Sequence, residues 1–138
     1  MKVGDVWRSV GRTVTEADIV NFAGVSGDFN RLHTDERWVT ENTPFSGRIA
    51  HGLLTLSITS GLRTPGLDEL EIIAYLEVGR RFRGPVYPGD TVTATHTVTE
   101  IRPSSSRPGT AVVKVEVEVR NQKDELVQAG GDTYLVAT

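Results

Sequence analysis

His51-Gly-Leu-Leu-Thr-Leu-Ser-Ile-Thr-Ser-Gly-Leu62 is the most helix-like stretch of the chain. Its apolar residues, Leu53, Leu54, Leu56, Ile58 and Leu62, cover most of the helical circumference instead of a single stripe. Thr55, Ser57, Thr59 and Ser60 between them are small enough to permit close packing. A helix apolar nearly all round belongs inside a fold, not on its surface. Thr64-Pro-Gly breaks it. Its cover has to come from the rest of the chain or from a second copy.

The C-terminal half supplies strands. Leu70 to Phe82, Thr91 to Ile101, Ala111 to Arg120 and Leu126 to Val136 are the candidates. The third is clearest, because Val113, Val115, Val117 and Val119 alternate with Lys114, Glu116, Glu118 and Arg120. Pro88-Gly-Asp, the Ser- and Pro-rich segment from Arg102 to Gly109, and Asn121 to Glu125 carry turn chemistry between them. Upstream, Val6 to Val14 reads as a first strand. Thr15 and Asp18 then form a capping box for a helix in which Ile19, Phe22 and Ala23 face a core, with Gly24 and Gly27 ending it. Asp35 to Glu41 has room for one or two helical turns. One strand, helices, then four strands predict an α+β domain with an antiparallel sheet curled against the central helix. Pairing of sheet edges across a two-fold axis would complete the cover.

Composition narrows the function. With 138 residues there is one domain's worth of core, so residues 1–138 are expected to form a single domain. A net charge of −3 disfavours nucleic-acid binding. No apolar run approaches the ~20 residues of a membrane helix, and Met1-Lys-Val-Gly-Asp-Val-Trp lacks the apolar core of a secretory signal. The absence of Cys removes disulfides, thiolate nucleophiles and Cys-based metal sites, in accord with a cytoplasmic protein.

Chemistry concentrates in two segments. Ser26-Gly-Asp-Phe-Asn-Arg-Leu-His-Thr34 places a carboxylate, Asp28, and an imidazole, His33, in one short loop. Gly47-Arg-Ile-Ala-His-Gly-Leu-Leu leads into the apolar helix, where the Gly52 N–H lies close to the helix start. An acid/base pair beside free helix N-terminal amides suits proton transfer next to a developing negative charge. The plainer alternatives are an Asx turn for Asp28 and a backbone-bonded loop histidine for His33. His51 reads as a structural helix entry, and His96 as packing or interface. Asp28, His33 and Asp35 offer too few oxygens for a hard cation, so no metal is expected. Trp38 either lines a pocket or caps the core.

These residues resemble the MaoC-like dehydratases, the (R)-specific enoyl-CoA hydratase branch of the hot-dog fold. The likeness is carried by Ser26-Gly-Asp-Phe-Asn-x-Leu-His33-x-Asp35, Ile49-Ala-His-Gly-Leu-Leu, Ser60-Gly61 and Arg81-Phe-Arg-x-Pro85-Val-Tyr-Pro-Gly-Asp90, in family order over nearly the whole chain. One departure is Arg31, where proline is common. The resemblance implies a long central helix wrapped by an antiparallel sheet, in a homodimer or a dimer of dimers. It implies reversible hydration of trans-2-enoyl-CoA to (R)-3-hydroxyacyl-CoA, on a coenzyme A or acyl-carrier-protein thioester, with no cofactor. Asp28 and His33 match the family's dyad, and the Gly52 N–H the donor to the thioester oxygen. Ser60 matches a supporting serine. Asp28 is the natural base and His33 the natural acid, with the two roles open to sharing or exchange. Arg48, Arg81 and Arg83 are candidates for the coenzyme A phosphates, with a solvated strand face as the alternative; Arg80 should point away from Arg81 and Arg83. A hot-dog thioesterase and a noncatalytic acyl-CoA-binding subunit are the competing functions.

Overall fold

The computed structural model describes Met1–Thr138, the whole chain. Strands β1 (Val6–Arg8) and β2 (Arg12–Thr13) are followed by helices α1 (Glu16–Ser26), α2 (Arg31–Thr34), α3 (Glu36–Asn42), α4 (Gly52–Ser60) and α5 (Pro65–Asp68). Strands β3 (Ile72–Phe82), β4 (Thr91–Pro103), β5 (Thr110–Arg120) and β6 (Leu126–Ala137) complete the chain. All pairings are antiparallel, in the order β1-β4-β5-β6-β3, with β2 also on β4.

The predicted four-strand run holds, and the valine alternation sets its faces. Val113, Val115, Val117 and Val119 are buried, while Lys114, Glu116, Glu118 and Arg120 are not. Register carries that inner face across the sheet: Val98 opposes Val115, which opposes Asp132, and His96 opposes Val117, which opposes Gly130, which opposes Arg80. Directly opposed residues of an antiparallel pair share a face. His96 is therefore a core residue, and Arg80 with Asp132 lies inside rather than in solvent.

The first predicted strand is interrupted. Ser9 takes its place in the ladder with a side chain: its N–H donates to Ala94 O at 2.9 Å, and Ala94 N donates back to Ser9 Oγ at 2.9 Å. The capping box of α1 has both halves, with Asp18 N on Thr15 Oγ1 at 3.1 Å and Thr15 N on Asp18 Oδ2 at 2.8 Å. Gly24 does not end that helix; it runs to Ser26, and Gly27 closes it with φ of 74°.

The central helix differs most from expectation. It has nine residues, not a long span, because Gly61 and the Thr64-Pro65 step stop it. It packs against α1 and β4. Within one chain only Leu54, Thr55 and Thr59 of α4 are buried, and Leu53 is 60% exposed. The sheet curls around one side of the helix and leaves the rest uncovered. Strand β3, the edge of the sheet, is similarly bare: Ile72, Ile73, Tyr75, Leu76, Val78 and Phe82 are 43–56% exposed.

Candidate active site

Asp28 sits in a turn held by its neighbours. Its N–H donates to Ser26 Oγ at 3.1 Å, and Oδ1 accepts from Asn30 N at 3.1 Å, leaving Oδ2 free to face His33. Asn30 caps α2 through Leu32 N at 3.0 Å, and that one turn of helix carries His33. The loop before α4 is laced to it, since Ile49 N donates to Leu32 O at 3.0 Å and Ala50 N to Val86 O at 2.7 Å.

Two carbonyls set the protonation of the histidines. His33 Nδ1 lies 2.7 Å from Ile49 O, and His51 Nε2 lies 2.9 Å from Asp28 O. A carbonyl oxygen only accepts, so each of those ring nitrogens carries the hydrogen. Neutral His33 therefore presents an Nε2 lone pair toward Asp28. Burial pushes the His33 pKa down, the Ile49 bond partly offsets this, and the nearby His51 adds to the lowering. The distance from His33 Nε2 to Asp28 Oδ2 is 3.8 Å, too long for a direct hydrogen bond and suited to a shared water. The Asp28 side chain is 52% exposed, so water reaches it freely.

His33 lines a cavity of about 370 Å³ together with Phe45, Ile49, Gly52, Thr55, Phe82 and Gln128. As the first residue of α4, Gly52 has no helical partner for its N–H. A Cβ there would stand 2.6 Å from the exposed Phe82 ring, so any larger residue would push that aromatic wall aside, and glycine keeps the backbone open to the ligand space.

Asp28, His33 and Gly52 are thus brought to one place, and Ser60 is not. It lies exposed at the far end of α4, about 12 Å along the axis from Gly52, with its hydroxyl turned back to Ser57 O at 2.8 Å. Arg48 is committed elsewhere. It binds Glu36 at 2.6 Å and Glu16 at 2.6 Å, two carboxylates whose proximity the linear sequence hides, and it is not a free phosphate ligand. Arg83 reaches the cavity mouth, and Arg81 is exposed beside it. Arg80 points inward, as the alternation requires. Asp35 is the N-cap of α3, bonded by Trp38 N at 2.9 Å. Trp38 lies under the Arg31 guanidinium, outside the cavity lining.

Potential ligand atoms of Asp28, His33 and His51 lie within 4.8 Å of one another. The two rings, however, are stacked at 3.7 Å with 24° between planes, so their in-plane lone pairs run alongside each other instead of converging on a metal. Sequence reasoning missed Thr55 and Gln128 as cavity residues. The available signal was a lone amide, Gln128, between the apolar Val127 and Ala129.

The MaoC like domain family matches residues 2–123. The chain belongs to that family. Its fold is the hot-dog fold. It is 42% identical over 98 residues to an (R)-specific enoyl-CoA hydratase of Rhodospirillum rubrum, a match covering 69% of this chain and 65% of that one, so it spans less than two thirds of that relative. Among solved structures, a monoamine oxidase regulatory protein from Archaeoglobus fulgius superposes with a TM-score of 0.88 at 34% identity, covering 100% of this chain and 92% of that one. An (R)-hydratase from A. caviae involved in PHA biosynthesis gives 0.78 at 31% identity, covering 97% and 96%. No helix in this MaoC-like chain is long and apolar enough to cross a membrane.

Proposed function

We propose that this chain is a hydro-lyase that adds water to trans-2-enoyl thioesters, giving (R)-3-hydroxyacyl thioesters, or runs the reverse dehydration. The observation that carries the reading is the Asp28–His33 pair, 3.8 Å apart, beside a cavity lined by His33 and Gly52. Its similarity to an (R)-specific enoyl-CoA hydratase supports the substrate class and the stereochemistry.

The chemistry follows from the protonation states. A water held between Asp28 Oδ2 and His33 Nε2 gives a hydrogen to each acceptor. As its oxygen bonds to C3, one of the pair takes a proton, and the C2–C3 π electrons move onto the thioester oxygen. The Gly52 N–H at the helix start stabilises that enolate. The proton then passes to C2, the thioester carbonyl re-forms, and no other reactant is consumed. His33 is an acid only after it has become a base, because its buried neutral ring has no proton on Nε2 at the outset. Addition of both parts of water from one side gives syn stereochemistry.

The same reading includes coenzyme A or an acyl carrier protein as the thioester's carrier, with Arg81 and Arg83 near the mouth as phosphate ligands. It also includes a homodimer, in which a second copy covers the unpaired β3 edge and the bare side of α4. Crotonyl-CoA tests the activity: loss of enoyl absorbance without free thiol is expected. Thiol release would mean a thioesterase, and binding without turnover on any chain length would mean a noncatalytic subunit.

A further inference from the structure

Four residues of α4 bear hydroxyls, and three of them turn back onto their own helix. Ser57 Oγ donates to Leu53 O at 2.7 Å, Thr59 Oγ1 to Thr55 O at 2.8 Å, and Ser60 Oγ to Ser57 O at 2.8 Å. Thr55 does not. Its Oγ1 is buried with no hydrogen-bond partner, on a residue that is 1% exposed and lines the cavity.

Gln128 lines the same cavity from β6 and is 2% exposed. Its Nε2 donates to Gly52 O at 2.8 Å, which fixes the amide's orientation, and its Oε1 is left buried without a partner. Buried polar atoms in folded proteins are nearly always bonded, and unpaired ones call for an explanation. Here an unpaired hydroxyl and an unpaired carbonyl oxygen belong to two residues that line one cavity. Exposure orders that cavity: Phe82, Arg83 and Gly84 form the open mouth, while Thr55 and Gln128 stand at the buried end.

We propose that Thr55 and Gln128 form a hydrogen-bonding subsite for the acyl chain, selecting a chain that bears a hydroxyl over a plain alkyl chain of the same length. This rests on the reading that the cavity holds the acyl part of a thioester. A hydroxyl fits because it both donates and accepts, giving its hydrogen to Gln128 Oε1 and accepting the Thr55 hydroxyl's. A carboxylate would meet Oε1 with like partial charge. An ammonium group would be buried with no counter-charge among the cavity residues. A plain alkyl chain leaves both groups unpaired.

The test compares kcat/KM for enoyl-CoA thioesters of four, six and eight carbons with the same chains carrying a terminal hydroxyl. The hydroxylated form is expected to lead by about 10-fold at one of the longer lengths, chiefly through KM. Thr55→Val, which keeps the shape and removes the O–H, should bring that ratio close to unity, and Thr55→Ser should restore it. Calorimetric binding of the saturated thioesters, hydroxylated against plain, reads the subsite without turnover. That measurement separates the subsite from the hydratase reading, which crotonyl-CoA turnover alone decides. It also stands if Thr55→Val fails to fold. Equal kcat/KM and equal binding for the two forms at every length, or a preference unchanged by Thr55→Val, would overturn the proposal.

Discussion

The Asp28–His33 pair and the Arg80–Asp132 pair are both acid–base couples, built in opposite ways. Arg80 grips Asp132 with Nη1 at 2.7 Å and Nη2 at 3.0 Å, at 1% and 0% side-chain exposure, and Tyr134 adds a third bond to the carboxylate at 3.2 Å. Burial and the Asp132 charge push the adjoining Tyr75 hydroxyl up to about 12, so that hydroxyl keeps its proton in the neutral range. Asp28 and His33 stand 3.8 Å apart, each held by backbone on one side and open on the other. Direct bonding through both Nη atoms makes a strut. A fixed 3.8 Å separation makes room for water.

The contrast is broken most directly by deleting one carboxylate from each pair. Asp132→Ala leaves a guanidinium buried without its partner and should cost about 3–5 kcal/mol in chemical denaturation. Asp28→Asn should leave denaturation within about 0.5 kcal/mol of the parent, because the side chain is half exposed. In the hydration assay Asp28→Asn and His33→Ala should each lower kcat by about 10²–10⁴. A normal rate in either would remove the pair from the mechanism.

Acid should distinguish the pairs without mutation. Hydration should fall as His33 protonates, with a midpoint below the ordinary imidazole value of about 6.5, because its pKa is lowered chiefly by burial. His96 is also lowered by burial. Both histidines bind fewer protons folded than unfolded just below pH ~6.5, so their stability contribution is complete above that value and is lost as pH drops through the folded pKa values. A rate profile and denaturation curves over the same pH range check both. At the sheet edge, Leu76→Lys should turn the proposed dimer into a monomer in sedimentation, with the chain still folded. The smallest effect is expected from Arg83→Ala, a few-fold rise in KM for coenzyme A thioesters that is absent with a truncated pantetheine thioester.

Legibility in the sequence tracked distance along it. Asp28 and His33 lie five positions apart, and Gly52 announces itself as the glycine entering an apolar helix, so the candidate site could be read directly. The β5 valines marked which face is inner, and four successive strands joined by turn segments pointed to antiparallel pairing. Arg48 was misread because its partners, Glu16 and Glu36, come close only after α1 and α3 fold. The alternation set Arg80 on the opposite face from Arg81 and Arg83, but its partner Asp132 became visible only through the fold that brings β3 beside β6. Gln128 meets Gly52 across 76 positions, a relation that no local pattern encodes. The helix looked fully buried from its composition, yet within one chain only Leu54, Thr55 and Thr59 are buried, and the cover proposed for the rest is a second copy that no pattern in one sequence can locate.

The stack of His33 on His51, 3.7 Å between ring centres, bears on how long a proton can rest at the site. An imidazolium formed on His33 would face a neighbouring ring whose one free nitrogen, Nδ1, is buried and unbonded, in surroundings that already disfavour positive charge. Where His33 is the member of the proposed pair that takes the proton, it would be a poor reservoir: it would lend its site for the instant of transfer and return the proton promptly. Turnover would then leave nothing parked on the ring to be cleared before the next substrate arrives.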